Sequence, residues 1–343
     1  MAVRIGFIGT GGISISHLRN LVKYEPAEVV ALCDLSTEII ENTREAVNKA
    51  VGEQGYKLDA KPYTDYRTML RQENLDAVFI CVPPFAHGEP EEAVIDAGLH
   101  MLVEKPIALS YPLASGILSK VKQKGLLTVA AYQLRYGDHL KKVQELLAER
   151  TIAMAAVMRF GGLPGVGWYH LQNKSGGQLV EMATHQLDLL RYLIGEIDTV
   201  YAAAANRLGD FIRPGIDIFD VNCMSLKFAN GAVANFANNV ISKHGAPAGA
   251  AGLHIFCDGL TISIGNTVNV ITAENKYEIP IDWDVMRKQD EAFVQAIISS
   301  DASLIKSDYA SGLKTLAATL AAEKSARSGQ ALSIADFIQQ ATE

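Results

Sequence analysis

The chain has 343 residues, with 31 Lys and Arg against 38 Asp and Glu, a formal net charge of −7 and a hydrophobic fraction of 49%. That length suits two domains, and that apolar content is enough for two packed cores, which excludes intrinsic disorder. The mild acidity argues against nucleic acid as a partner, because phosphate binding wants a basic surface, and no apolar run approaches the ~20 residues needed to cross a bilayer.

Up to Tyr132 strand and helix patterns alternate. Val3 to Gly9 is a short, continuously apolar run, as expected of a strand buried on both faces, and a glycine turn leads from it into a helix from Ile13 to Lys23. Glu28 to Asp34 reads as a second strand and Ser36 to Ala50 as a helix with Ser36 at its N-cap. Strands follow at Asp76 to Val82, His100 to Val103 and Leu126 to Tyr132, with helices at His87 to Ala97 and Tyr111 to Lys124 between them. Strands separated by helices imply right-handed crossovers and a parallel, doubly wound sheet.

After Tyr132 the rhythm changes. A helix from Gly137 to Glu149, a strand from Ile152 to Phe160, a Gly-rich loop and one long helix from Gln178 to Ile194 precede a succession of strands. Cys223 to Phe228 and Ala232 to Ala237 flank Ala229-Asn230-Gly231, and His254 to Cys257 and Leu260 to Ile264 flank Asp258-Gly259, both hairpin signals. Further strands fall at Val268 to Ala273 and Lys276 to Pro280, then helices at Val285 to Ser299 and Ala310 to Ser328. The expected organisation is a domain of residues 1–132 followed by an α+β domain of residues 133–343 built on a mainly antiparallel sheet.

The N-terminal run is broken by Arg4 and glycines, so it does not read as a signal peptide, and none of the four cysteines forms a C-x-x-C pair. Buried, reduced thiols, no metal site and a cytoplasmic location are expected.

Three features carry chemistry. Gly9-Thr10-Gly11-Gly12-Ile13-Ser14 follows the first strand and opens a helix, matching G-x-G-x-x-[G/A] with Ser14 at the last small position. Such a turn lets backbone approach a pyrophosphate at a helix N-terminus. Asp34 ends the second strand, where a carboxylate can accept both ribose hydroxyls of NAD and would repel the 2′-phosphate of NADP. A helix cap is the plain alternative for Asp34. The second feature is Glu104-Lys105-Pro106, at the carboxyl end of a parallel strand, where ligands of open sheets lie. Lys105 there can exchange a proton with a substrate hydroxyl, or be a surface lysine beside a turn proline. The third is a stripe of Glu181, His185, Asp188 and Tyr192 on the helix after Gly176-Gly177, which reads either as a solvated face or as an imidazole oriented by carboxylates.

With these motifs in view, GFIGTGGIS, the Cys81–His87 loop, Ala97–Pro106 and Gly176–Gly195 resemble the Gfo/Idh/MocA oxidoreductases, the family of glucose–fructose oxidoreductase and the inositol dehydrogenases. The resemblance runs over nearly the whole chain. It implies a Rossmann domain holding NAD, with NADP the less favoured cofactor, and a sugar or polyol substrate oxidised at a secondary hydroxyl. Lys105 would contact that hydroxyl, His185 would be its acid–base partner, and Asp188 would lie near the substrate. Glu181 stands where many members have Asp, so it would touch substrate, orient His185 or only stabilise its helix. The cofactor set so implied is Gly9, Gly11, Gly12, Ile13, Asp34, Pro83, His87, Glu104 and Lys105, with capping an equal explanation for His87. Arg135, Trp168 and Tyr169 join Lys105 and His185 as substrate contacts, core packing being the alternative for Trp168. A homodimer or homotetramer is expected, with no nucleic-acid or membrane partner. An NAD-dependent glycosidase and a non-catalytic dinucleotide-binding regulator remain the alternatives within the same resemblance.

Overall fold

In the computed structural model, which describes residues 2–247 and 249–343, the apolar run Val3–Ile8 forms β1, buried at five of its six positions. It lies within a parallel sheet with β2 (Ala27–Cys33), β3 (Lys61–Tyr63), β4 (Ala77–Ile80), β5 (His100–Val103) and β6 (Thr128–Ala130). The strand order is β3-β2-β1-β4-β5-β6, every pair parallel. This is the doubly wound sheet expected, and its order reverses between β1 and β4, where the chain leaves a crevice at the carboxyl ends. β3 and the helix Tyr66–Gln72 were not foreseen. β3 is a three-residue edge strand with Pro62 at its centre, a composition that carries little strand signal.

The core of this unit gathers Ile5, Phe7, Phe79, Leu102 and Val129 with Phe293 and Val294 of the helix Val285–Ser299. The Phe79 and Phe293 rings meet edge-on with centroids 5.8 Å apart. Full burial of a phenylalanine contributes about 1.5–3 kcal/mol, so this late helix belongs energetically to the first unit. The chain accordingly divides into one unit running to Tyr136 together with Asp284–Leu313, and another of Gly137–Trp283 with Lys314–Glu343. The second domain expected from sequence as 133–343 thus cedes residues 133–136 and 284–313 to the first.

The second unit contains β7 (Ile152–Phe160), β8 (Ile197–Ala205), β9 (Val221–Phe228), β10 (Val233–Asn239), β11 (Gly252–Cys257), β12 (Leu260–Ile264), β13 (Thr267–Thr272), β14 (Lys276–Pro280) and β15 (Leu332–Ser333). Their order is β14-β13-β12-β11-β7-β10-β9-β8-β15, antiparallel except where β10 runs parallel to β7. Both hairpins form as read, with Gly231 and Gly259 at φ of 90° and 67° where the turn demands a left-handed residue. Alternation sets the two faces. Ala155, Val157, Met224, Leu226 and Phe236 are buried, while Met154, Tyr201, Val233, Phe256 and Ile271 are exposed.

The long helix expected over Gln178 to Ile194 is in fact two, Gly177–Glu181 and Thr184–Leu193. At the break the Met182 and Ala183 N–H groups both donate to the Gln178 carbonyl, at 3.2 and 2.9 Å, which widens one turn. The single stripe through Glu181 and His185 is therefore interrupted. Of the four cysteines, all unbridged, Cys33 and Cys81 are buried but Cys223 is exposed and Cys257 partly so. Among the described residues no helix is long and apolar enough to cross a membrane.

Candidate active site

The glycine turn sits at the carboxyl end of β1. Gly9 has φ +87°, and a Cβ there would lie 2.6 Å from the Cys81 carbonyl oxygen, so only glycine fits. A Cβ at Gly11 or Gly12 would meet nothing within 4 Å, leaving open space in front of the helix Gly12–Leu21. Gly11 caps that helix without a side chain, so its first N–H groups have no side-chain acceptor from the cap, and Ile13 in the same turn is exposed. Ser14, at the position of the third small residue, donates its hydroxyl to the Gly11 carbonyl at 2.6 Å and is fully buried. Asp34 is drawn over the turn. Its Oδ2 accepts the Thr10 N–H at 2.7 Å and the Thr10 hydroxyl at 3.1 Å, and Oδ1 accepts the Leu35 N–H at 2.8 Å. Donor groups at a helix N-terminus, free space in front of them and a fixed carboxylate one strand away suit a dinucleotide.

On the neighbouring strands, Pro83 leads into a single 3₁₀ turn, Pro84–Ala86. His87 is buried, its Nδ1 hydrogen-bonded to Glu91 Oε1, while Glu91 Oε2 accepts the Gly88 N–H at 2.6 Å. His87 is thereby tied to Glu91 in the first turn of the helix Glu89–Asp96, whose N-cap is Gly88.

Glu104 follows β5 and faces inward. One carboxylate oxygen meets His17 Nε2 at 3.1 Å and the other accepts the Lys105 N–H, also at 3.1 Å. His17 Nδ1 in turn lies 2.7 Å from Asp290 Oδ1, and Asn20 donates to Asp290 Oδ2 at 2.9 Å. Burial alone would push the His17 imidazolium down, but the Asp290 and Glu104 carboxylates override it and lift its pKa to about 10. Burial pushes the Asp290 carboxyl up, opposed by His17 and Asn20. Sequence reading missed His17 and Asp290, because they stand 273 residues apart and neither belongs to a local pattern. Arg135, expected to face substrate, is buried and spends Nη1 on the Lys306 carbonyl at 2.9 Å, fastening the returning segment to this unit.

In the second unit, Gly176 and Gly177 adopt φ of 76° and 78°, and a Cβ on Gly177 would lie 2.5 Å from Gln172 Oε1. The glycine pair turns the chain sharply into Gly177–Glu181, which carries Glu181, while His185 lies in the first turn of Thr184–Leu193. His185 is half-buried and Glu181 buried. Asp188 is also buried, its Oδ1 accepting the Thr315 hydroxyl at 2.7 Å and lying 3.7 Å from Arg191 Nη1. Arg191 closes this cluster by donating to Thr315 and to Glu196.

Tyr169 and Trp168 pack side by side, ring centroids 6.0 Å apart, in a small cluster with Ile216, Ile218 and Met182. Trp168 is only partly buried on this cluster. Burial and the neighbouring Glu181 charge push the Tyr169 phenol well up, so it stays protonated. Arg159 was not foreseen. It donates to Asn238 Oδ1 at 3.1 Å, and Asn238 donates to Gln178 at 3.4 Å, a polar row on the inner face of β7 and β10. A break in the apolar alternation of these strands was its available signal. Among the described residues no group of three or more His, Cys, Asp or Glu is arranged to hold a metal ion.

Comparison with known proteins adds to this geometry. Residues 3–132 match the model of an oxidoreductase family with an NAD-binding Rossmann fold, and residues 142–263 match the GFO/IDH/MocA C-terminal domain. The chain is 25% identical over 245 residues to myo-inositol 2-dehydrogenase of Thermotoga maritima, covering 71% of this chain and 70% of that protein. It is 24% identical over 346 residues to 1,5-anhydro-D-fructose reductase of Ensifer adhaerens, covering 96% and 98%. An oxidoreductase from Agrobacterium radiobacter, solved with NAD+, L-tartaric acid and magnesium, shares the fold at a TM-score of 0.81 and 17% identity, over 98% of this chain and all of that one.

Proposed function

Because this chain belongs to the GFO/IDH/MocA oxidoreductases, we propose that it is an NAD-dependent dehydrogenase acting on a secondary hydroxyl of a sugar or cyclitol. The observation that carries the reading is the Asp34 carboxylate fixed over an open glycine turn, with Lys105 at the carboxyl end of β5 in the same sheet. When bound, NAD supplies the hydride acceptor, or NADH the donor.

The residues of this chain do the rest. The first N–H groups of the helix Gly12–Leu21 receive the pyrophosphate, and Asp34 receives the ribose hydroxyls and disfavours a 2′-phosphate. Lys105 and His185 handle the proton of the reacting hydroxyl. Tyr169 remains a neutral donor, because Glu181 and burial hold its proton in place. Asp188, engaged by Thr315, supports the helix that carries His185 rather than taking the proton. The relatives named as an inositol dehydrogenase and an anhydro-sugar reductase support a polyol substrate. The outward row of Met154, Tyr201, Val233, Phe256 and Ile271 supports pairing of copies through the exposed face of the large sheet. A cytoplasmic location fits the four unbridged cysteines.

The test is NADH absorbance across a panel of sugars, sugar acids and inositols, with NAD and with NADP, beside a Lys105→Ala control. Turnover with NAD that vanishes in the control is the expected result. Silence across the panel with NAD bound would move the reading to a substrate outside the panel, an NAD-dependent glycosidase or a dinucleotide-binding regulator.

A further inference from the structure

We propose that His17 is a positioning residue for Lys105, acting through the Glu104 carboxylate. The inference rests on the reading of Lys105 as a proton-handling residue. Its geometry is a closed chain of contacts within the first unit. Asn20 holds one oxygen of Asp290, Asp290 holds Nδ1 of His17, His17 Nε2 holds one oxygen of Glu104, and the other oxygen of Glu104 holds the Lys105 N–H. Phe79 fixes the imidazole ring edge-on, with centroids 5.4 Å apart. Both oxygens of Glu104 are thereby committed, and the residue that starts the loop after β5 has no freedom to turn.

Stability does not explain such a cluster. Buried ion triads are matched or exceeded by apolar residues of the same volume, because two carboxylates and an imidazolium lose their hydration on folding. His17 and Asp290 are 0% exposed and Glu104 6%, so that loss is nearly complete. What the cluster provides is direction: a buried cation between two carboxylates tolerates one arrangement, and that arrangement ends on the backbone of Lys105. A displacement of about 1 Å at a reacting group can slow a reaction about a hundredfold.

The charged groups acting on His17 are Asp290 from the helix Val285–Ser299 and Glu104 from the end of β5; burial and the same two carboxylates push the Cys81 thiol, just after β4, far up. The ring is therefore charged throughout the working range of the wild type, and removing one carboxylate makes it titrate there.

Asp290→Asn, which keeps a hydrogen-bonding partner for the ring, is compared with His17→Gln, so that failure of one variant to fold leaves the other. Two readouts are taken. Competitive acetylation with acetic anhydride, resolved by mass spectrometry, follows the reactivity of Lys105 against the other lysines and needs no substrate. Steady-state kinetics on the best panel substrate are run from pH 6 to pH 9, with NADH affinity from fluorescence and Tm recorded beside them. The expected result is a change of about threefold or more in Lys105 labelling and a kcat lower by about tenfold, with KM and NADH affinity nearly kept. In Asp290→Asn the ratio of variant to wild-type kcat falls as pH rises. Loss of Tm with unchanged Lys105 labelling and unchanged kcat per folded protein at every pH would overturn the proposal and leave a fold clamp. A Lys105→Met variant separates the two readings. Full turnover in it removes the proton role of Lys105, whereas loss of turnover there with none in Asp290→Asn removes only the positioning role of His17.

Discussion

Asp34 reaches back across 24 residues to Thr10, accepting both its backbone N–H at 2.7 Å and its hydroxyl at 3.1 Å. The same carboxylate that would select the ribose thus also shapes the turn that would receive the phosphates. Asp34→Ser removes the charge and keeps a small hydrogen-bonding side chain. NAD affinity is expected to fall about tenfold or more, and the ratio of NADP to NAD affinity to rise. Titration of both cofactors by fluorescence or calorimetry checks it, and an unchanged ratio would show that another residue sets the preference.

Gly9 and Gly11 should separate folding from cofactor binding. Gly9→Ala places a Cβ against the Cys81 carbonyl at a left-handed φ and is expected to lose about 2 kcal/mol or more in urea unfolding. Gly11→Ala puts its methyl into open space. It should leave the urea midpoint nearly unchanged yet weaken NAD by about tenfold, because the added carbon occupies the approach to the pyrophosphate. Equal losses of stability in the two variants would contradict this division.

Thr315→Val takes one hydroxyl from between Asp188 and Arg191. A buried carboxylate that loses a donor is expected to destabilise the fold by about 1–3 kcal/mol. Urea unfolding at pH 7 measures the loss. A variant as stable as the wild type would mean that the Thr315 hydroxyl is dispensable to Asp188.

The His17 cluster also makes stability depend on pH, with a definite sign. Its folded pKa of about 10 lies above the 6.5 of a free imidazole, so the protonated ring is favoured by folding. That contribution is fully present below about pH 6.5 and is lost as pH rises through 10. The urea midpoint of the wild type relative to His17→Gln should therefore decline from neutral pH towards pH 10. A constant difference over that range would show that the ring is not charged in the folded protein.

How much of this could be read in advance follows from the range of each interaction. β1, β4 and β5 were legible because strands buried on both faces are written as continuous apolar runs, and Asp34 because its place after β2 is local to the motif. β8 was missed because its Tyr201–Ala205 end is almost all alanine, which carries no strand preference. The break at Met182 and Ala183 was invisible because neither residue interrupts a helix by itself. There the Gly176-Gly177 turn and the packing of Met182 against Tyr169 override local preference. His17 belongs to no local motif, and only the fold brings Asp290 to it.

The late return of the helix Val285–Ser299 bears on how the protein is made. When a ribosome has released the six strands of the first sheet, the side chains of Phe293 and Val294 that complete their core have not yet been synthesised. The nascent first unit waits through β7 to β14 with an apolar seat uncovered and with His17 lacking Asp290. A chain ending at Trp283 would keep every cofactor and proton-handling residue named above and still expose that seat, a form suited to chaperone capture.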